Sequence, residues 1–348
     1  MITNVISVSP DQNDLRAILK PAADIIKSGG LVVFPTETVY GLGADATNSE
    51  AALKIYQAKG RPSDNPLIIH IATPQDAEKY AYTNELYYKI AERYMPGPIT
   101  VIMRSKDVVP SEIRAGLPTV AVRCPENVVA HTLIELSGVP IAAPSANLSG
   151  SPSPTKFQHV LDDMFSRVDM IIDGGDAEFG LESTIVKIED DNSLTLLRPG
   201  KITVEELSEL APVKVAPAVL AALSEGEAVL SPGLKYRHYA PEAPLFLLDG
   251  DIPAIIEYIK SQPQKNVAVI AYKDDVDKLS SALPYASLFS FGKRDDEEGQ
   301  AHVLFSILRE ADKLHFDKIY APLPSASGVG LALYNRMIRA AAHQIIKL

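Results

Sequence analysis

The chain has 348 residues, of which 46% are hydrophobic and 22% charged, and its formal net charge is −11. This length predicts two domains with full hydrophobic cores, and the acidic charge excludes a broad surface for binding polyanions. Cys124 is the only cysteine, which excludes a disulfide framework and zinc sites built on CxxC pairs. With no long apolar run and no secretory leader pattern, we expect a cytoplasmic protein without a membrane span.

Strands and helices are interleaved along residues 1–212, with hairpin signals among them. Strands are predicted at 2–8, 31–35, 66–71, 99–103, 119–123, 139–143, 168–172, 183–189 and 193–198, the last two as a hairpin. Helices are predicted at 12–28, 50–58, 74–81, 84–94, 126–136, 156–163 and 203–210. Pro21 is expected to divide the first helix, and Gly41 and Gly43 to bracket a turn. The pattern indicates an α/β fold with a mixed, twisted sheet.

The pattern changes after residue 212. Residues 213–244 are rich in proline and lack periodicity in their second half, as is typical of a linker. In 245–348 the alternation becomes regular and predicts a small parallel sheet with a Rossmann-like layout. Its strands are predicted at 245–249, 266–271, 286–290 and 317–321, and its helices at 251–261, 297–314 and 329–342. The first strand is not followed by G-x-G-x-x-G, so we assign no dinucleotide site.

Short polar or basic segments recur at the ends of the apolar runs. Loops at strand ends converge in α/β folds, and ligands bind there. Arginines and a lysine on such loops hold phosphates or carboxylates, while serine, threonine and asparagine complete a cradle without adding charge. The residues in this position are Lys59, Arg61, His70, Arg123, Ser145, Asn147, Ser183, Thr184 and Arg198.

Each of these residues also has a purely structural explanation. A basic residue after a helix is favoured by the helix dipole, runs of serine and proline form loops, and His70 alone fits a structural histidine. The chain contains no Walker A motif, no G-x-S-x-G and no H-E-x-x-H. Taken together, the residues favour an anion-binding enzyme over a structural protein, but they do not name the reaction.

Several longer motifs resemble one family in order and spacing. They are PTETVYGLG, KGRPSDNPLIIH, PGPITVI, TVAVRCP, PIAAPSANLSGSPSPT, ESTIV, LRPG, SPGLKYRHYAP and GVGLALYNRMIRAA. On these motifs the chain resembles the Sua5/YrdC/YwlC family, and the last two are similar to its longer, two-domain Sua5 type. The resemblance implies a YrdC-like catalytic domain at 1–212, a linker at 213–244 and a Sua5-type Rossmann-like domain at 245–348.

The resemblance also implies a reaction. Members form threonylcarbamoyl-AMP and pyrophosphate from L-threonine, bicarbonate and ATP, and are therefore nucleotidyltransferases. The product serves the synthesis of N6-threonylcarbamoyladenosine at position 37 of tRNA. Mg²⁺ is expected to accompany ATP, although no metal ligands can be named from the sequence. A downstream threonylcarbamoyl transferase is the expected protein partner, together with a contact to tRNA.

The family motifs imply roles for individual residues. Lys59 and Arg61 are expected to be catalytic. The threonine-binding residues implied are Thr38, His70, Arg123 and Ser183. The ATP-binding residues implied are Arg61, Asn65, Thr119, Ala143, Ser145, Ser153, Arg198 and Tyr236. Segment 231–241 of the linker, which carries Tyr236, is expected to act as a lid that keeps water from the labile product.

Three other functions fit parts of the sequence. A non-enzymatic RNA-binding module fits the YrdC-like fold, but the acidic first domain argues against it. A carbamoyl-transfer enzyme of hydrogenase maturation contains such a domain, yet it carries CxxC zinc motifs that one cysteine cannot supply. A two-domain α/β binding protein without catalysis is the most conservative alternative.

Overall fold

The computed structural model describes residues 2–221, 239–263 and 265–348. In these ranges the chain forms a mixed sheet of eleven strands and a parallel sheet of five strands. The predicted α/β class, with a large mixed sheet followed by a small parallel one, is therefore confirmed. No helix in the described ranges is long and apolar enough to cross a membrane.

The larger sheet has the strand order β1-β8-β2-β3-β7-β4-β6-β5-β9-β10-β11. Its strands are β1 (Asn4–Ser7), β2 (Val32–Phe34), β3 (Gly41–Asp45), β4 (Ile68–His70), β5 (Ile99–Arg104), β6 (Thr119–Arg123), β7 (Ile141–Ala142), β8 (Met170–Asp173), β9 (Thr184–Ile188), β10 (Leu194–Arg198) and β11 (Val213–Val215). The helices along this part are α1 (Leu15–Lys27), α2 (Ser49–Lys59), α3 (Glu85–Tyr94), α4 (Ser111–Arg114), α5 (Val128–Ser137), α6 (Phe157–Met164), α7 (Val204–Ser208) and α8 (Pro217–Leu220). The helix predicted at 74–81 is a 3₁₀ helix over Pro74–Lys79.

The smaller sheet has the order β14-β13-β15-β12-β16, and all its strands are parallel. Its strands are β12 (Leu245–Asp249), β13 (Val267–Ala271), β14 (Ser287–Ser290), β15 (Lys318–Pro322) and β16 (Ile345–Lys347). The helices are α9 (Ile252–Ser261), α10 (Val276–Ala282), α11 (Glu297–Lys313) and α12 (Gly330–Ala340). The regular alternation predicted for this part matches these elements, except that β16 had no counterpart in the prediction.

Strand β3 occupies a stretch that we predicted as a turn. Gly41 and Gly43 lie within this strand, which pairs antiparallel with β2. A Cβ atom on Gly43 would come within 2.7 Å of the Phe34 ring and 2.8 Å of the Ile141 side chain. Glycine is therefore present because the strands pack closely, and not because the chain turns there.

The first helix is continuous, contrary to the expected break at Pro21. Helix α1 includes Pro21 in its interior. Buried side chains before and after the proline, among them Leu19 and Ile26, anchor both halves of the helix in the core. The burial of these side chains offsets the loss of the hydrogen bond that Pro21 cannot donate. An isolated helix has no such packing to compensate for a proline.

The start of the predicted linker is part of the larger sheet. Strand β11 pairs in parallel with β10, and α8 follows it directly. Residues 222–238 of the linker, including Tyr236, lie outside the described ranges. The domain boundaries at 212 and 244 stay a prediction.

Candidate functional site

One cavity collects most of the predicted site residues at the strand ends of the larger sheet. Those that line it are Thr38, Lys59, Arg61, His70, Arg123, Ala143, Ser145 and Arg198. Ser153 and Ser183 are fully buried beside it, and each is hydrogen-bonded to a residue of the cavity wall. Tyr236 lies outside the described residues. The loops that the sequence singled out therefore converge, as expected for an α/β fold.

The pairing of β4 with β6 places His70 beside Arg123. These two residues are partners in the parallel register, and each is the last residue of its strand. The Arg123 side chain donates from Nη2 to Glu37 Oε1 at 2.6 Å and to Thr38 Oγ1 at 2.9 Å. Arg123 Nε has no hydrogen-bond partner among the described residues. A ligand oxygen is the natural partner for this buried donor.

Glu37 compensates the charge of Arg123. Both side chains are almost completely buried, at 5% exposure for the arginine and 7% for the glutamate. The backbone N–H of Asn127 also donates to Glu37 Oε2, at 3.3 Å. This fixes the carboxylate, so the guanidinium keeps one orientation toward the cavity.

His70 is held in its neutral form. Burial, together with the charge of Arg123, lowers its pKa to about 3. Its Nδ1 lies 3.2 Å from the carbonyl oxygen of Ile141. A neutral ring beside a carbonyl carries its proton on that nitrogen, which leaves Nε2 as a hydrogen-bond acceptor.

The neutral His70 makes folding stability dependent on pH. Because the folded-state pKa lies below the ordinary value of 6.5, the unfolded chain binds the proton more tightly, and stability is lost as pH falls from about 6.5 toward 3. We expect the wild type to lose about 2 kcal/mol more than His70→Gln between pH 7 and pH 5. Urea unfolding at both pH values measures this difference. Equal losses in the two proteins would show that the ring is solvated.

Lys59 and Arg61 enter the cavity from the end of α2. Gly60 ends this helix in the left-handed conformation, at φ 62°, which only glycine adopts without strain. Lys59 Nζ donates to the carbonyl oxygens of Ser145, at 2.5 Å, and Asn147, at 2.8 Å. Burial lowers the pKa of Lys59 well below its usual value, and the charge of Arg61 lowers it further. An anion bound nearby would therefore stabilise the charged form of this amine.

Arg198, the last residue of β10, also lines the cavity. The register of β10 against β9 shifts between Leu196 and Arg198, and such an irregularity redirects side chains. Arg198 donates from Nε to the Ser183 carbonyl at 2.9 Å and from Nη2 to Ser183 Oγ at 3.0 Å. Burial lowers the pKa of Arg198 to about 10, although Glu182 opposes this shift. The guanidinium remains charged at neutral pH.

Arg336 of α12, in the smaller domain, lies behind the cavity wall and pairs with Glu182, which lines the cavity. Arg336 is fully buried, and its Nε donates to Glu182 Oε2 at 2.8 Å. Its Nη1 donates to the carbonyl of Pro199 at 2.9 Å. Burial opposes the ionisation of Glu182, but Arg336 and Arg198 outweigh it and lower the pKa of Glu182. Tyr239 also lines the cavity, and its ring stacks on Phe305 of α11.

A second buried ion pair joins the domains next to Ser153. Arg309 of α11 donates from Nη2 to Asp163 Oδ2 at 2.6 Å and to the Pro152 carbonyl at 2.6 Å. Both charged side chains are at most 10% exposed. The loop that carries Ser153 is thus fixed by the smaller domain.

Asn65 and Thr119 are not among the residues that line the cavity. Asn65 is completely buried, and neither Oδ1 nor Nδ2 of its amide has a hydrogen-bond partner in the described part of the chain. Thr119 is half-buried at the start of β6, where it pairs with Arg104 of β5. The structure does not place these two side chains in the cavity wall.

The sequence did not indicate the buried ionic partners of the site. Glu37 and Glu182 stand within the motifs PTETVYGLG and ESTIV, and Arg336 within GVGLALYNRMIRAA. Their position within these motifs was the one feature of the sequence that pointed to a role in the site. The pairing of Glu182 with Arg336 joins residues 154 positions apart, which no local pattern shows.

Comparison with known protein families shows which family this chain belongs to. A family profile described as "Telomere recombination" matches residues 24–200, and one described as "Threonylcarbamoyl-AMP synthase, C-terminal domain" matches residues 202–342. The chain belongs to the Sua5 family. Threonylcarbamoyl-AMP synthase from Pyrococcus abyssi is 40% identical to this Sua5-family chain over 336 residues, covering 95% of this chain and 96% of the relative.

Other Sua5-family relatives agree in length and fold. Threonylcarbamoyl-AMP synthase from Bacillus subtilis is 42% identical over 331 residues, covering 94% of this chain and 93% of the relative. The crystal structure of P. abyssi Sua5 complexed with L-threonine superposes with a TM-score of 0.89 at 40% identity. That match covers 99% of this chain and 100% of the other. The similarity therefore extends over both sheets.

Proposed function

We propose that the cavity between Lys59, Arg61, Arg123 and Arg198 is the catalytic site. The chain is a threonylcarbamoyl-AMP synthase, a nucleotidyltransferase-type enzyme of tRNA threonylcarbamoyladenosine synthesis that uses L-threonine and ATP. The observation that carries the location is the gathering of three arginines and a lysine around one cavity. Such a set of cations is suited to a carboxylate and a triphosphate bound together.

The reaction that we propose needs no protein nucleophile. The amine of threonine attacks bicarbonate to give a carbamate and water. A carbamate oxygen then attacks the α-phosphorus of ATP, the bond to the bridging oxygen breaks, and pyrophosphate leaves with the electron pair. The protein contributes by placing two anions side by side and by stabilising charge on the phosphates.

Threonine is proposed to bind between His70 and Arg123. The buried Nε atom of Arg123 has no partner among the described residues, and the threonine carboxylate suits it as an acceptor. The neutral His70 accepts a hydrogen bond at Nε2, which suits the amine or hydroxyl of the substrate. Thr38 Oγ1 accepts from Arg123 and Ser183 Oγ accepts from Arg198, and we assign both hydroxyl groups to the threonine subsite. The L-threonine complex of the P. abyssi relative supports this substrate.

ATP is proposed to bind on the side of the cavity formed by α2 and β10. Lys59, Arg61 and Arg198 would neutralise its phosphates, and Lys59 also fixes the Ser145 loop by its two carbonyl contacts. The remaining members of this proposed subsite are Asn65, Thr119, Ala143, Ser145 and Ser153, with Tyr236 outside the described residues. Mg²⁺ would enter with the phosphates as part of the substrate. In the described ranges no three His, Cys, Asp or Glu side chains are grouped to hold a metal, and Glu37 and Glu182 each face an arginine.

The product is a labile mixed anhydride, which limits where it can be used. We propose that a threonylcarbamoyl transferase takes it up directly, in the cytoplasm, before water hydrolyses it. A contact between this chain and tRNA belongs to the same proposal. Salt-dependent tRNA binding, measured with and without ATP, tests that contact.

Asn65 offers a direct test of the ATP subsite. Asn65→Ala removes a buried amide that has no partner in the described chain, so ligand-free stability stays within about 1 kcal/mol of the wild type. The protein should nevertheless lose about tenfold or more of its ATP affinity, because a ligand is the expected partner of that amide. Thermal unfolding with and without ATP measures both effects. Asn266→Ala, at an exposed amide, is the control, and an unchanged ATP shift in Asn65→Ala would remove Asn65 from the subsite.

The complete reaction is tested by pyrophosphate release. The rate should require threonine, bicarbonate and ATP together, and mass spectrometry should detect threonylcarbamoyl-AMP. Omission of each substrate in turn provides the controls. Release that is independent of bicarbonate would contradict the proposed carbamate step.

A further inference from the structure

A second cavity lies in the smaller domain, away from the catalytic site. It encloses about 310 Å³ at the carboxyl ends of β12, β13 and β15, between these strands and the helices α9 and α10. Open parallel sheets bind ligands at this edge, and cavities of this size hold small organic molecules. Neither the catalytic residues nor the interdomain ion pairs belong to its wall.

The floor and sides of this cavity are apolar. They are formed by Leu248, Ile252, Ile255, Val269, Ala271, Leu279, Tyr320 and Pro322, among others. Most of these side chains belong to one buried cluster that packs the sheet against α9 and α10. The ligand must therefore present a largely apolar body, either flat or aliphatic.

Charged groups stand in one part of the wall. Arg294 donates from Nη2 to Asp275 Oδ2 at 2.5 Å, and its guanidinium lies 4.3 Å from the centroid of the Tyr272 ring. The Asp275 side chain is 9% exposed, whereas that of Arg294 is 57% exposed. A guanidinium beside a carboxylate offers donors and an acceptor next to each other, the pattern that matches an amide or heterocycle edge.

The same wall is unsuited to phosphate. Asp251 adds a second carboxylate, and it already caps α9 by accepting from the N–H of Ala254 at 2.9 Å. Pro253 lacks an N–H in the first turn of that helix, so the backbone donors that hold phosphate in dinucleotide folds are reduced. With two carboxylates against one guanidinium, this cavity differs in charge from the cationic catalytic site.

We propose that this cavity binds an uncharged aromatic heterocycle of about the size of a purine nucleoside. The ring body fills the apolar floor, and its donor–acceptor edge meets Arg294 and Asp275. The site is separate from the catalytic cavity, so the inference does not rest on the assignment of catalytic residues.

The test uses adenosine and AMP as probes on the full-length protein. Isothermal titration calorimetry should show saturable adenosine binding to the wild type and to Arg61→Ala, because that variant alters only the catalytic cavity. Ala271→Leu fills the second cavity and should weaken adenosine binding about tenfold or more. AMP should not bind the second cavity, because its phosphate meets Asp251 and Asp275.

A second variant covers the case in which Ala271→Leu fails to fold. Asp275→Ala removes the acceptor from the cavity wall and should also weaken adenosine binding about tenfold. Both variants should keep wild-type pyrophosphate release, which serves as the folding control. The proposal is overturned if the wild type does not bind adenosine, if adenosine binding is lost in Arg61→Ala, or if both cavity variants bind it like the wild type.

Discussion

Replacing Arg61 with Ala lowers the rate of pyrophosphate formation by about 10²- to 10³-fold, the range measured when one charge-stabilising donor is removed from an active site. Arg61 lines the proposed catalytic cavity just past the end of α2, near Lys59. Its charge is proposed to act on the phosphates, so the effect falls on catalysis far more than on folding. Steady-state pyrophosphate release and thermal unfolding of the same preparation measure the two quantities.

The matched control for Arg61 is Arg104→Ala. Arg104 is exposed at the end of β5 and lies 5.1 Å from the centroid of the Tyr82 ring. Its loss should leave the turnover rate unchanged. If Arg61→Ala reduces thermal stability and turnover to the same extent, Arg61 is a structural residue and the cation assignment fails.

Replacing Arg336 with Met is expected to destabilise the protein by about 3–5 kcal/mol, because it removes the cation hydrogen-bonded to the buried Glu182, although the charge of Arg198 remains nearby. The same change should lower kcat/KM for ATP, since Glu182 lines the proposed catalytic cavity and is hydrogen-bonded to Ser153. Arg336 touches no proposed substrate position and acts as a positioning residue. Denaturant unfolding and ATP kinetics test both expectations.

A double variant separates positioning from simple stability. Glu182→Gln combined with Arg336→Met removes both charges and should recover much of the lost stability. It should not recover the KM for ATP, because Arg198 then lacks its neighbouring carboxylate. Arg16→Met, at an exposed ion pair with Glu135, should cost less than about 1 kcal/mol. Recovery of both stability and KM in the double variant would show that the pair only supports the fold.

The elements that follow from local pattern were predictable. The hairpin of β9 and β10 and the alternation of the smaller domain match the structure, because turns and apolar periodicity lie within a few residues. Strand β3 was not predictable, since Gly41 and Gly43 read as a turn while their function is to let Phe34 and Ile141 approach. Pro21 was likewise outweighed by tertiary packing that no local rule contains.

For the candidate site, too, one part was predictable from the sequence and another was not. Arg123 and Arg198 were identified because basic residues at strand ends form a visible pattern. Their ionic partners were not identified, because these are distant in the sequence. Glu37 is 86 positions from Arg123, and Arg336 is 154 positions from Glu182. The sequence therefore indicated which basic residues line the cavity, whereas the buried counterions depend on the packing of distant elements.

The two interdomain ion pairs also bear on how this chain can be divided. A fragment that ends at residue 221 would contain the whole larger sheet, yet it would lack Arg309 and Arg336. Asp163 and Glu182 would then lose the arginines that are hydrogen-bonded to them, while Arg198 would remain as a cation near Glu182. We therefore expect the first domain, when expressed alone, to hold the Ser153 loop and Glu182 less rigidly on the proposed nucleotide side of the cavity.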